Sequence, residues 1–278
     1  MKISENVYFW TGMFGGSGVI AGKKEAIIVD AQNRSDQADL ILELMQLYEL
    51  NLSNVRHIIL THADSDHIGG LSQLKRVTGA KIIANSEEAK RIENPTQSEG
   101  FATARAGPWE PCKVDVKVQS DMTFETGDLS LELILAPGHT AGSLCIYHKD
   151  SKSLFSGDVV VGSGSPYKVP FVRMDMDVML DSLNKLNRFE IEWLLPGHGG
   201  IVHDGNKKIT EAADELRRLP DRVLSLLNEK ASTSLQISDT LLVWPNTVEV
   251  ALRKLEKDGR VRKVEEKTSV TLGRWMIS

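Results

Sequence analysis

The chain has 278 residues, carries 33 Lys and Arg against 38 Asp and Glu for a net charge of −5, and is 41% hydrophobic and 26% charged. That balance excludes a mainly disordered chain, no run approaches the roughly 18 apolar residues of a membrane span, and two cysteines, Cys112 and Cys145, do not make a disulfide scaffold. With no signal-peptide core at its start, the sequence reads as a cytoplasmic protein with no membrane partner, built as one large domain or as one domain with a smaller appendage.

Alternating strand and helix patterns open the chain. Val7 to Trp10 and Ala26 to Val29 read as strands, the second a continuous apolar run of the kind that a sheet buried on both faces uses. The glycine-rich stretch Gly12 to Gly18 lies between them; it lacks the GK[ST] ending of a phosphate-binding loop and fits a hairpin turn. Ser35 to Leu50 has helical spacing (Ile41, Leu44, Met45, Tyr48), with Ser35 expected as its N-cap. A strand at 55–60, a helix at 72–77, a strand at 81–84 and a short helix at 86–92 follow. Residues 93–113 show no period and read as an irregular insertion that offers Phe101, Arg105 and Trp109 to a substrate. Strands recur at 114–118, 122–124, 129–136, 144–148 and 153–156. Residues 162–170 form a second irregular loop, Met176 to Phe189 a helix, and 191–195 a last strand.

A boundary is expected near Gly205, dividing a body of residues 1–204 from a C-terminal segment of residues 205–278. The segment holds 14 basic and 11 acidic residues, net +3, which leaves 19 basic against 27 acidic on the body, net −8.

The chemistry concentrates at strand ends. His62-Ala63-Asp64-Ser65-Asp66-His67 follows a buried strand and puts four residues able to bind metal within six positions. Histidines and carboxylates at this density are costly to bury unless a cation compensates them. His139 in Pro137-Gly138-His139-Thr140, Asp158 in Ser156-Gly157-Asp158 and His198 in Pro196-Gly197-His198-Gly199 also end strand-like runs, each beside glycine. His57, His148 and His203 stand apart from this set and read as structural or solvated.

In this order the pieces resemble the metallo-β-lactamase superfamily, nearest its glyoxalase II-like and general hydrolase branches, whose signature is HxHxDH, then a GH, a bridging Asp and a last His. The resemblance covers about residues 5–205 and implies an α/β fold, a four-layer αβ/βα sandwich with metals at one edge. Carried over by position, it implies that His62, Asp64 and His139 hold one divalent ion, that Asp66, His67 and His198 hold a second, and that Asp158 bridges them. Asp30 matches the family's first, mainly structural Asp. The departure is Asp64, where the family has a second His. Two readings are open: Asp64 ligates as a carboxylate, or the first site is weak and the centre mononuclear. A carboxylate there makes the shell formally neutral, weakens its pull on anions and admits Mn²⁺ or Fe²⁺ beside Zn²⁺.

The implied mechanism is a dinuclear hydrolase in which a metal-bridging hydroxide attacks a small ester, thioester or lactone, with Asp66 orienting the nucleophile and moving its proton. Thr61 and Thr140 flank the donors, as orienting groups or as turn caps. Tyr167, Lys168 and Arg173, close after Asp158, are expected to contact the small-molecule substrate. The C-terminal segment resembles a winged helix: a helix over Leu235 to Leu242, a second from Pro245 to Gly259, and a hairpin around Glu266-Lys267-Thr268. As a nucleic-acid binder it would use Arg253, Lys254, Arg260 and Arg262; otherwise it covers the hydrolase or makes a homodimer contact. Competing readings are a nuclease with the same metals, a nucleic-acid-binding regulator with a metal-sensing domain, and an iron redox enzyme.

Overall fold

The computed structural model describes residues 1–12, 15–94, 110–264 and 274–278. Two six-stranded mixed sheets face each other. The first contains β1 (Val7–Thr11), β2 (Gly16–Ala21), β3 (Ala26–Val29), β4 (Val55–Ile59), β5 (Lys81–Asn85) and β6 (Val116–Val118), in that spatial order. β1, β2 and β3 pair antiparallel, and β3 to β6 run parallel. The second contains β7 (Met122–Thr126), β8 (Leu129–Leu135), β9 (Leu144–His148), β10 (Ser153–Gly157), β11 (Trp193–Pro196) and β12 (Val202–His203), also in order. Only β10 and β11 pair parallel in it.

The continuous apolar runs are explained by burial on both faces. Within β3, Ile27 and Val29 point between the sheets, where they meet Leu131, Leu133, Ile146 and Phe155. Ala26 and Ile28 point outward beneath α1 (Ser35–Leu47), after which come α2 (Ser65–Ile68), α3 (Leu71–Thr78) and α4 (Ser86–Glu93). α5 (Met176–Leu186) and α6 (Gly205–Glu229) cover the other outer face. The result is helix, sheet, sheet, helix, as expected.

Local boundaries differ in small ways. Ser35 is the first residue of α1, not its cap; Arg34 occupies the cap position in extended backbone with no side-chain cap bond. Asp175 caps α5, its carboxylate accepting from the Asp177 and Val178 amides, and that helix stops at Leu186 because Asn187 closes it. β11 begins at Trp193; Ile191 before it packs outward with α6. The glycine-rich stretch enters β2, where a side chain on Gly18 would stand 2.3 Å from Phe155.

After α6 come β13 (Ser232–Thr233), α7 (Ser234–Leu241), α8 (Pro245–Lys257), β14 (Val261–Val264) and β15 (Arg274–Ile277), with the three strands in order β13-β15-β14. A capping box, Thr233 with Gln236, starts α7, and Pro245 opens α8. The turn expected at 266–268 lies outside the described residues. The C-terminal segment does not stand apart from the body: Leu216, Val223, Val248, Leu252 and Trp275 share one buried cluster with Ile134, Leu154, Met179 and Leu194. Among the described residues no helix is long and apolar enough to cross a membrane.

Candidate metal centre

The ends of β4, β8, β10 and β11 meet at one edge of the sandwich. The loop after β4 delivers His62 and Asp64, and α2 carries Asp66 and His67. His139 follows β8, Asp158 follows β10, and His198 follows β11. Three sets of donor atoms able to hold a metal ion result: His62, Asp64 and His139; His62, His67 and Asp158; Asp66, His67 and His198, each with its donor atoms within 4.8 Å of one another. All seven residues singled out from the sequence therefore converge.

Asp158 is central. Its Oδ2 lies 3.5 Å from His139 Nε2 and 3.2 Å from His198 Nε2, and its Oδ1 lies 3.3 Å from His67 Nε2. Glycine makes that approach sterically open: a Cβ on Gly197 would stand 2.2 Å from Asp158 Oδ1, and Gly157 turns the chain with φ +48°, against Thr61.

Asp30 orients the rings. Its buried carboxylate accepts from the Thr61 amide (2.8 Å), from Thr61 Oγ1 (2.7 Å) and from His67 Nδ1 (2.8 Å). A carboxylate only accepts, so His67 Nδ1 carries the proton and Nε2 faces the site. The Thr61 hydroxyl spends its hydrogen on Asp30, so toward His62 Nδ1, 3.0 Å away, it accepts. His62 Nε2 is thereby turned to the site as well. One aspartate thus fixes two rings, one in each outer donor set. His139 is fixed separately, Nδ1 donating to the Phe171 carbonyl at 3.0 Å. Thr140, by contrast, sets its amide and hydroxyl on Ser143 Oγ, and its carbonyl accepts from the Gly138 amide, so it closes its own turn.

The residues fit a cation. His62 Nε2, His67 Nε2 and Asp158 Oδ1 are buried without a hydrogen-bond partner, a costly state for three converging polar atoms unless an ion satisfies them. The titration behaviour agrees. The Asp158 carboxylate raises the His198 pKa to about 10. Burial opposes charge on His67, but the carboxylates of Asp30 and Asp158 outweigh it and hold its pKa well above the usual imidazole range. Burial also opposes charge on Asp64 and Asp158, yet their histidine neighbours keep both carboxylates well below the usual range.

Two arginines change the picture at Asp64. Arg173 meets it with both terminal nitrogens, Nη1 on Oδ1 at 3.0 Å and Nη2 on Oδ2, and Arg91 Nη2 lies 3.3 Å from Oδ1. The expectation that Asp64 weakens the site's pull on anions is therefore revised, because two guanidiniums stand against the extra carboxylate. Arg173 packs over the Phe171 ring, 4.7 Å from its centroid. Arg91 also pairs with buried Glu88, whose two oxygens accept from the Ala63 and Gly142 amides and so tie the His62 loop to the His139 loop. Neither Glu88 nor Arg91 was singled out from the sequence; their i, i+3 spacing on α4 is the one local signal that joins them.

The other expected contacts are spread more widely. Tyr167 stacks on Trp244 at 4.1 Å, and Lys168 is exposed. Phe101, Arg105 and Trp109 lie outside the described residues. In the C-terminal segment, Lys254 Nζ bonds Asp177 at 2.6 Å and Arg260 lies 3.7 Å from Asp221, while Arg253 and Arg262 are exposed. His57 packs edge-on to Phe124, His148 bonds Ser151, and exposed His203 lies against Trp193.

Comparison with known proteins identifies the family. The Metallo-beta-lactamase superfamily profile matches residues 10–198. A beta-lactamase-like protein 2 homolog of Caenorhabditis elegans is 24% identical over 89% of this chain and 80% of its own length. The human acyl-coenzyme A thioesterase MBLAC2 is 33% identical over 50% of this chain and 54% of its own length. The atrochrysone carboxyl ACP thioesterase AacuM of Aspergillus aculeatus is 25% identical over 86% of this chain and 74% of its own. In structure, a metallo-beta-lactamase family protein of Thermus thermophilus superposes with a TM-score of 0.80 over 100% of both chains at 18% identity. The chain belongs to the metallo-β-lactamase superfamily and is a metal-dependent hydrolase.

Proposed function

We propose that this protein is a dinuclear hydrolase of small thioesters, with esters and lactones as the neighbouring substrate classes. The observation that carries the reading is the converging set of orphaned donors, His62 Nε2, His67 Nε2 and Asp158 Oδ1, with two of the rings set by one carboxylate. His62, Asp64 and His139 would hold one ion, Asp66, His67 and His198 the other, with Asp158 shared. When bound, such a pair supplies a water acidified toward neutrality and an electrophilic contact for a substrate oxygen. Three carboxylates among seven donors suit zinc and also harder ions such as Mn or Fe.

Asp66 is the carboxylate placed to move a proton. Its side chain is 22% exposed, against 6% for Asp64 and 3% for Asp158, so it alone of the three reaches solvent to any extent. Arg173 and Arg91 balance Asp64 and present positive charge to an anionic carrier on the leaving thiol. The thioesterase names of two relatives favour the thioester over the other acyl compounds.

The C-terminal segment is winged-helix-like in element order, and we read it as a cover. Thr247 on α8 accepts from the Val172 amide at 2.8 Å and donates to the Pro170 carbonyl, and Lys254 is engaged by Asp177, so this helix is turned to the hydrolase. That orientation does not favour the nuclease or regulator readings. Two free, buried cysteines fit a reducing, cytoplasmic setting.

The test is metal analysis of the purified protein followed by assays on an acyl-coenzyme A thioester, a lactone, a bis-aryl phosphodiester and short RNA. Thioester turnover that a chelator abolishes and added Zn or Mn restores is expected. Turnover of RNA alone, or insensitivity to the chelator, would overturn the reading.

A further inference from the structure

We propose that a groove between β1 and α1 binds the straight hydrocarbon chain of the acyl group; this rests on the thioesterase reading and names the arm of the substrate that gives selectivity. The groove has a volume of about 560 Å³, inside the roughly 300–1,000 Å³ range of small-molecule sites. Its walls are mostly apolar: Phe9 and Trp10 from β1, Leu40, Ile41 and Leu44 from one face of α1, and Ile201 from the loop after His198. Leu40 is 49% exposed there, a large apolar side chain with one side left to water. Two polar atoms of lining residues, Trp10 Nε1 and Gln32 Oε1, are buried and unpartnered, and Gln32 holds a left-handed backbone with φ +62°. Both polar atoms are enclosed behind the lining, so the surface that the groove offers is mostly hydrocarbon.

The groove's lining residues neighbour the segments that carry one end of the donor cluster. Ile201 follows His198 by three residues. Gln32 follows Ala31, whose amide bonds the His67 carbonyl at 2.7 Å. Gly12, also in the wall, bonds Gly15, and a Cβ on Gly15 would stand 2.7 Å from the Asp66 carbonyl and 3.9 Å from His67 Nε2. The groove therefore ends at the Asp66, His67 and His198 side. Arg173 and Arg91 mark the opposite side, at Asp64. A substrate with hydrocarbon on one side of its reacting carbonyl and an anionic carrier on the other fits this polarity in one direction only: chain toward β1 and α1, carrier toward the arginines.

Each methylene buried in such a groove strengthens binding about fourfold. The kcat/KM should therefore climb at least tenfold from acetyl to decanoyl thioester. Leu40→Trp, which narrows the groove from its solvent side, should cut the decanoyl-to-acetyl ratio about tenfold, and Leu44→Trp should do the same. A second readout needs no turnover: calorimetric titration of the purified protein with 1-octanol, which carries a chain and no thioester. Saturable octanol binding, weakened tenfold or more in Leu40→Glu, is expected. Thioester turnover with a flat chain-length profile and no octanol binding would overturn the groove assignment and leave the hydrolase reading standing. Octanol binding that depends on Leu40, without turnover of any thioester, would overturn the thioesterase reading and the acyl assignment with it.

Discussion

Replacing Asp30 by Asn tests how the donor rings are set. The native carboxylate accepts three hydrogen bonds, from the Thr61 amide, the Thr61 hydroxyl and His67 Nδ1. The amide oxygen of the introduced side chain can keep the first. Its NH₂ then faces the hydroxyl and the ring nitrogen, both of which were donors. His67 must shift its proton to Nε2, and the Thr61 hydroxyl, now accepting from the introduced NH₂, turns its hydrogen toward His62 Nδ1 and drives the same shift there. Two charge-assisted bonds are lost, each contributing about 1.5–3 kcal/mol, so the stability loss is bounded at roughly 3–6 kcal/mol. Metal affinity should fall about 10–100-fold at both sets. Competition against a chromophoric chelator gives stoichiometry and affinity, and urea unfolding gives the stability change. Thr61→Val serves as the partial case: it removes only the His62 arm, so one equivalent should weaken and the other hold. If Asp30→Asn takes up two ions with native affinity, the assignment of ring orientation to Asp30 is wrong.

Three further outcomes follow from the same geometry. Asp64→His, which restores the family's usual histidine at this position, should lower affinity at that set about tenfold or more, because it leaves Arg173 and Arg91 facing a neutral ring and a cation; the double variant Asp64→His with Arg173→Gln should recover part of the loss, and equal chelator-competition curves for native and Asp64→His would contradict the charge balance. Metal uptake should displace protons, because His198 holds one up to about pH 10 in the metal-free chain: affinity should strengthen with pH between 6 and 8 by up to about tenfold per unit for each proton released, while in chelator that group's contribution to folding is greatest below the ordinary imidazole value of about 6.5 and is lost as pH rises through about 10; a flat affinity profile would show that no such proton is displaced. Glu88→Gln leaves one of the Ala63 and Gly142 amides without an acceptor and should cost about 1–3 kcal/mol in a denaturant melt, against little change if the two loops are held by other contacts.

The sandwich and the donor set were legible because each uses a local signal. A strand buried on both faces needs a continuous apolar run, which β3 shows in full and β4 and β5 show over Ile58–Ile59 and Ile82–Ala84. A donor at a strand end needs room, which the glycines beside His139, Asp158 and His198 advertise. What was not legible depends on partners far apart in the chain. Asp64 looked like a lost positive charge, and its compensation comes from Arg173, 109 residues away, and from Arg91 on a helix face that reads as solvated. Arg173 was expected to meet substrate, and its guanidinium also pairs with Asp64, a partner that nothing in its local sequence announces. The helix α8 has the spacing of a groove reader, and nothing in that spacing says which face will be occupied; Thr247, wholly buried against Val172 and Pro170, decides it.

The aromatic stack below the arginines gives the C-terminal segment a mechanical hold on one donor. His139 rests on Phe171, with ring centroids 4.7 Å apart, and Phe171 rests on Trp244 at 5.0 Å, the residue from which α8 springs. The carbonyl that fixes His139 belongs to that same Phe171. The stack therefore ties the C-terminal segment to a single imidazole, on the Asp64 side of the cluster and not on the Asp66 side. The C-terminal segment thus supplies the backing of one donor ring.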